Sequence, residues 1–283
     1  MTDRLAGVAA QIRNVQQPGA IVMAMRGMAA ARAQQGRALL AGNEAYTATV
    51  ARAIGRALTV QGGRQPEPAR VARTKAVVLF TAEQGFAGAY NDRIFAACDS
   101  DLKDAITFII GTRGNQLAAE RDIAVHWSAA MVTQPSAIAG LATAIADALF
   151  ERIAAGTIAT VDMIHARAGS GGRVQAVRHS LFPVDFARFA AERRRDKPLT
   201  NLAPAVLLER LATEYVYAEL CSATSQAFTA ENEARMMVMA SAKANIDTKL
   251  DALTGREREL RQQEITAEVI ELTAGAEAQR RGA

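Results

Sequence analysis

Gly85-Phe86-Ala87-Gly88 is the segment of this 283-residue chain best suited to a ligand-binding turn. It lies between a β-branched run and a helical one, where phosphates bind in doubly wound folds. Two glycines would let the backbone approach a phosphate, but no lysine stands beside them to hold its charge, so turn formation is the stronger expectation. His126, His165 and His179 each fall in or beside an expected strand with no partner at metal-ligand spacing, which favours packing or solvent exposure over ligation. Cys98 and Cys221 lie far apart, which excludes a CxxC pair, a zinc knuckle and a disulfide framework and points to a reducing compartment. No phosphate loop, HExxH zinc motif or GxSxG nucleophile elbow occurs. These residue types assemble no catalytic, cofactor-binding or metal site, and no cofactor is expected.

Arg193-Arg194-Arg195-Asp196-Lys197 reads as a solvated loop, because no aromatic platform is interleaved with it to stack bases, so nucleic acid is not an expected partner. Met23, Met25 and Met28, with Met236, Met237 and Met239, read first as core filling. The chain start lacks a secretory apolar region, and no stretch of about 20 residues free of charges and breakers could span a bilayer, so a soluble or peripheral chain is expected.

Half the residues are hydrophobic, 22% are charged and only 5% are aromatic. Most of the apolar content is alanine with Leu, Ile, Val and Met, which favours long, closely packed helices. From residue 3 to about 58, Leu5, Val8, Ile12, Val15, Ile21, Met25 and Met28 recur at three- and four-residue spacings and predict one helical face. Pro18-Gly19 predicts a kink or restart in that helix, since proline lacks the N–H donor and crowds the carbonyl four residues back. Gly62-Gly63-Arg64-Gln65-Pro66-Glu67-Pro68 ends the zone as a connector.

From about 73 to 202 the pattern changes: strands are expected at 75–81, 106–111, 123–127, 158–165 and 174–182, and helices at 91–103, 113–120 and 136–155. Strands alternating with helices predict a Rossmann-like α/β domain with a largely parallel sheet, and the alternating run 174–182 predicts a half-exposed antiparallel edge. Gly169-Ser170-Gly171-Gly172 reads as the loop before that edge.

From 203 to about 278 there is no internal proline after Pro204, enough for one helix roughly 110 Å long. Ile246, Leu250, Leu253 and Leu260 keep a heptad beat that continues backward through Met239, Met236, Asn232, Thr229, Ser225, Ser222, Ala218, Tyr215 and Leu211, a partly polar seam. Residues 1–60 carry seven arginines against Asp3 and Glu44, net +5, while residues 205–283 carry nine bases against thirteen acids, net −4. The expected architecture is an antiparallel coiled-coil shaft built from 1–60 and 203–283, with the α/β domain of 73–202 inserted between its arms.

Three stretches resemble the gamma subunit of F-type ATP synthases. Near the N-terminus Ile12, Val15, Ile21, Ala24, Met25 and Ala29 hold that family's spacing, while Asn14, Gln17, Pro18 and Val22 depart from it. After the first strand stand Thr81, Gly85, Phe86, Gly88, Tyr90 and Asn91, then Gly111-Thr112-Arg113-Gly114. At the C-terminus Glu231, Ala234, Arg235, Met236, Met239, Asn245, Leu253-Thr254, Arg261, Gln262, Ile265, Thr266, Glu268 and Gly275-Ala276 follow without a gap, with Arg258 where the family has asparagine. The departures suggest a divergent bacterial branch, an alternative synthase operon.

The resemblance implies a non-catalytic rotor shaft inside three alpha and three beta subunits, its foot on the ring of c subunits, its α/β domain meeting the epsilon subunit and that ring. It implies peripheral placement at the cytoplasmic face of the bacterial inner membrane. Met25 and Arg26 match contacts at the lower lip of the beta subunits, and Arg235, Gln262, Thr266 and Glu268 match coupling positions. Ile265, Val269, Ile270 and Leu272 form the tip expected in the bearing. The rival readings are a small-molecule-binding α/β protein with dimerising helical arms, and an unrelated coiled-coil scaffold.

Overall fold

A computed structural model describes residues 2–60, 74–98, 101–169, 174–192 and 199–281. The connector at 62–68, the basic run at 193–197 and most of the loop at 169–172 lie outside these. Helix α1 runs Thr2–Val60, strand β1 Lys75–Phe80, α2 Tyr90–Ala96, β2 Ile106–Ile110, α3 Thr112–Glu120, β3 Trp127–Ala129, α4 Ile138–Ala154, β4 Thr160–Ala168, β5 Val174–Phe182 and α5 Pro204–Arg281. The chain divides into two compact units, residues 1–28 with 236–283, and residues 29–235.

The larger unit is organised by a five-stranded sheet in the order β3-β2-β1-β4-β5. β1 pairs in parallel with β2 (Val78 opposite Phe108) and with β4 (Val78 opposite Met163). β5 runs antiparallel at the edge, Met163 opposite His179, with one irregularity at Val161/Asp162. A parallel strand covered on both faces needs a run of apolar residues, and β1 supplies one from Ala76 to Phe80. Ala76, Val78 and Phe80 join a core with α4 and with Val216, Leu220, Ala227 and Phe228 of α5. Val77 and Leu79 join a second core with Tyr90, Ile94 and Phe95 of α2, Ala118 of α3, and Ala230 and Ala234 of α5. A third cluster packs Val50, Ile54 and Leu58 of α1 on Leu208 and Tyr215 of α5, with Phe189 set edge-on to Tyr215 at 5.1 Å.

Residues 29–60 and 204–235 belong with the sheet, because α5 supplies core to both of its faces. The smaller unit is all helix. Val8 and Met239 are buried in it, and Ile12, Val15, Val22, Met25, Ile246, Leu250, Leu253 and Leu260 are half-buried. Gly19 is buried, and a methyl group on it would lie 3.7 Å from Ile246 Cγ2.

Two expectations for α1 are corrected. Its helix runs through Pro18 without a break; the lost hydrogen bond and the clash with the Asn14 carbonyl destabilise by about 3 kcal/mol, which neighbouring turns absorb. Ile21 and Met28 are exposed rather than on the seam, where Gly19 and Val22 stand instead. Small residues allow closer approach than large ones, so the seam follows them. β3 is also displaced, Trp127–Ala129 instead of 123–127, and α2 ends at Ala96 rather than 103.

Candidate functional site

The loop after β1 is tied by hydrogen bonds to β2, α2, α3 and α5. Thr81, fully buried, donates its hydroxyl to the Ile110 carbonyl at 2.6 Å and so ties the end of β1 to that of β2. Gly111 turns the chain there with φ +115°, and a Cβ on Gly114 would lie 1.9 Å from Thr81 Oγ1, so both glycines are obligatory for this approach. Glu83 accepts from the Thr112 amide at 3.0 Å, the Thr112 hydroxyl at 2.7 Å and the Met131 amide at 2.7 Å, capping α3 from a neighbouring loop. Asn91 Oδ1 accepts from the Ala82 amide at 2.8 Å.

The same loop is bound to α5. Tyr90 OH, fully buried, lies 3.4 Å from the Phe80 carbonyl and 3.3 Å from that of Ala227, and burial pushes its pKa well above the ordinary value. Arg235, 4% exposed, pairs with Glu231, 3% exposed, and donates to the carbonyls of Gln84 at 3.1 Å and Gly85 at 3.2 Å. Glu231 also accepts from the Gln84 amide at 3.3 Å. Burial drives the Glu231 carboxyl upward in pKa, while Arg235 and the loop amides pull it back.

This arrangement answers what the glycine turn can do. In a doubly wound sheet ligands enter at the point where strand order reverses, here between β1 and β4. The Ala82 and Gln84 amides that could cradle a phosphate are already bonded to Asn91 and Glu231. A cleft of about 550 Å³ remains beside Phe86 and Arg113, with Arg113 as its lining arginine. The turn is a structural joint, and the small-molecule reading is not favoured. Among the described residues no group of three or more His, Cys, Asp or Glu could hold a metal. His126 accepts from the Thr107 amide at 3.1 Å, a packing role.

Below the joint, α1 and α5 run antiparallel: Arg37 pairs with Glu233 at 2.9 Å, Asn43 donates to Ser225 at 2.6 Å, and Tyr46 bonds Glu214. A Cβ on Gly36 would lie 2.3 Å from Thr229 Oγ1, so the helices touch nearly backbone to backbone. The opposite charges of the two arms appear between helices as the single ion pair Arg37–Glu233 among the described residues.

The residues singled out from the sequence fall into two groups. Arg235 is engaged inside the larger unit, where it holds the loop at 84–85. Met25 is half-buried in the smaller unit and Arg26 exposed; Gln262, Thr266 and Glu268 are exposed, as are Ile265, Val269, Ile270 and Leu272, the last at 75%. Sequence reading missed Glu83, whose partners are 29 and 48 positions away. It also passed over the Glu231–Arg235 pairing, which the i,i+4 spacing signals. Among the described residues no helix is long and apolar enough to cross a membrane.

The family model described as ATP synthase matches residues 4–279. The ATP synthase gamma chain of Moorella thermoacetica is 27% identical over 278 residues, covering 95% of this chain and 96% of that one. That of Streptomyces avermitilis is 25% identical over 285 residues, covering 95% and 93%. Among solved structures, the rotor of the Euglena gracilis mitochondrial ATP synthase in rotational state 1 superposes with a TM-score of 0.61 at 10% identity, covering 94% of this chain and 100% of that one. The sheet with long terminal helices is thus a shared fold, and the end-to-end sequence match carries more than the fold: the chain belongs to the ATP synthase gamma-chain family.

Proposed function

We propose that this chain is the central rotor stalk of an F-type ATP synthase, coupling ion-driven rotation of a c ring to ATP synthesis or hydrolysis at the beta subunits. The observation that carries it is the surface of the smaller unit. Two helices cover one narrow seam and leave large apolar residues outside, Ile21, Met23 and Met28 on α1 and Ile265, Val269, Ile270 and Leu272 on α5. Such a surface is suited to being surrounded by other chains.

Three alpha and three beta subunits would enclose the shaft, with Met25 and Arg26 at the lip of the beta subunits and Arg26 facing acidic residues. Gln262, Thr266 and Glu268 would contact the ring of alpha and beta subunits, whose bearing the tip residues enter. Arg235 would act indirectly, by fixing the loop at 84–85. The epsilon subunit and c ring would bind the α/β unit, placing the chain peripherally at the cytoplasmic face of a bacterial inner membrane. Rotation drives catalysis by population shift: moving a beta subunit from 1:99 to 99:1 between conformations takes about 5.5 kcal/mol of differential contact energy.

The test is the native mass of the complex recovered from membranes through a tag on the α/β unit. One copy of this chain with three alpha and three beta subunits is expected; a homodimer lacking them would overturn the proposal in favour of dimerising arms.

A further inference from the structure

His179 of β5 has two rival partners for one ring nitrogen. Its Nε2 lies 3.4 Å from Nη1 of Arg188, in the short 3₁₀ segment Phe186–Glu192, and 3.6 Å from a carboxylate oxygen of Glu219 on α5. A guanidinium offers no acceptor and keeps its protons, so Arg188 donates and Nε2 accepts. The neutral ring therefore carries its proton on Nδ1. A carboxylate only accepts, so Nε2 can satisfy Glu219 only when that nitrogen is itself protonated. The two contacts cannot both be hydrogen bonds at once.

The neighbours leave the choice to the His179 proton. Glu219 accepts from the Tyr215 hydroxyl, and burial together with that bond pushes the Tyr215 pKa above its ordinary value, so Tyr215 stays a donor. Three further charged or titratable groups line the same cleft among the described residues: His165 and Arg167 of β4 and Glu44 of α1. Burial lowers the His165 pKa to about 4, so that ring remains neutral in mild acid. Arg167 is engaged by the Gln226 side-chain oxygen at 3.2 Å, and Glu44 is exposed. One proton added to His179 would turn its Arg188 contact into a like-charge contact and its Glu219 contact into an ion pair. Histidine is the side chain suited to that change between pH 5 and 8.

Arg188 sits where such a change can be felt. Its amide bonds the Asp185 carbonyl at 3.3 Å, and the Ala187 amide bonds Asp185 Oδ1 at 2.9 Å. The next residue, Phe189, is buried with Tyr215 and with Val50 and Ile54 of α1. Phe189 holds the apolar side of the segment in either state, whereas Arg188 fastens its polar side to the sheet in only one.

We propose that His179 is a proton-operated toggle. Neutral, it ties the segment 186–192 to β5 through Arg188; protonated, it turns to Glu219 and releases Arg188. The device lies within the larger unit, goes beyond the rotor reading and does not depend on it.

The test is ¹⁵N NMR of the imidazoles in the full chain, with amide hydrogen exchange, at about pH 8 and about pH 5.5; His179→Asn identifies the His179 signals. At the higher pH the His179 proton should be found on Nδ1. Arg188→Met, at an exposed residue and unable to donate, should speed exchange of the amides at 187 and 188 about two- to fivefold over the parent at the higher pH, and leave it nearly unchanged at the lower. Glu219→Gln should leave exchange as in the parent at the higher pH and displace the acid-induced loosening of the segment to lower pH. A proton on Nε2 at the higher pH, an equal effect of Arg188→Met at both pH values, or an onset unmoved by Glu219→Gln would each overturn the toggle.

Discussion

Between Tyr215 and Arg235, α5 buries nearly every side chain, whereas from 236 to 264 one face is partly covered and from 265 to 281 none of the described side chains is. Residue types do not follow that order. The buried stretch contains Thr224, Ser225, Thr229, Glu231, Asn232, Glu233 and Arg235, and the exposed one contains Ile265, Val269, Ile270 and Leu272. The polar groups inside are satisfied locally: Thr224, Ser225, Thr229 and Asn232 each donate to the carbonyl four residues back, at 2.7 to 2.8 Å. A side chain bonded to its own helix leaves no orphan donor and can be packed on every side. The difference teaches that burial along this helix is set by its neighbours, and that its bare apolar end is shaped for a neighbour outside the chain.

The comparison is broken most severely by Arg235→Met. It leaves Glu231 as an uncompensated buried charge, and the larger unit should lose about 3–5 kcal/mol in urea unfolding. Adding Glu231→Gln should recover most of that loss; if it does not, the pair is not the source. Next comes acid. Burial lowers the His165 pKa to about 4 from its ordinary 6.5. The unfolded chain therefore binds that proton first, so the His165 contribution is constant above about pH 6.5 and about 3 kcal/mol of it is lost as pH drops towards 4. Parallel unfolding curves for His165→Phe should lack this component.

Gly36→Val should lower unfolding stability by about 1–3 kcal/mol through overpacking on Thr229, a smaller change because the helices can shift slightly apart. Val269→Ser should leave the unfolding free energy of the free chain unaltered within about 0.5 kcal/mol. A large loss there would mean that the tip is covered within the chain itself.

Much of the fold is readable from residue pattern where both local and tertiary forces agree. The runs at 75–81 and 106–111 lie within a residue of β1 and β2, and 174–182 coincides with β5, because β-branched residues there also face buried layers. The run at 123–127 misleads. Ile123 and Val125 pack against the second core from outside any strand, while pairing begins only at Trp127. The polar seam read through Ser225 and Thr229 does face α1, at Asn43 and Gly36, while other residues of the same stretch of α5 enter the cores on the sheet. Alternating spacing records which side chains turn inward and is silent on what covers them. The joint of Glu83, Glu231 and Arg235 is legible only in part, since its bonds span up to 151 positions.

Pro18 has a mechanical consequence. At any level an α-helix is held by about three hydrogen bonds side by side. Removing the one that would reach the Asn14 carbonyl leaves two, so resistance to twisting at that turn falls by roughly a third. On a rotor that turn would be a soft point of α1, one that winds further than its fully bonded neighbours under the same torque.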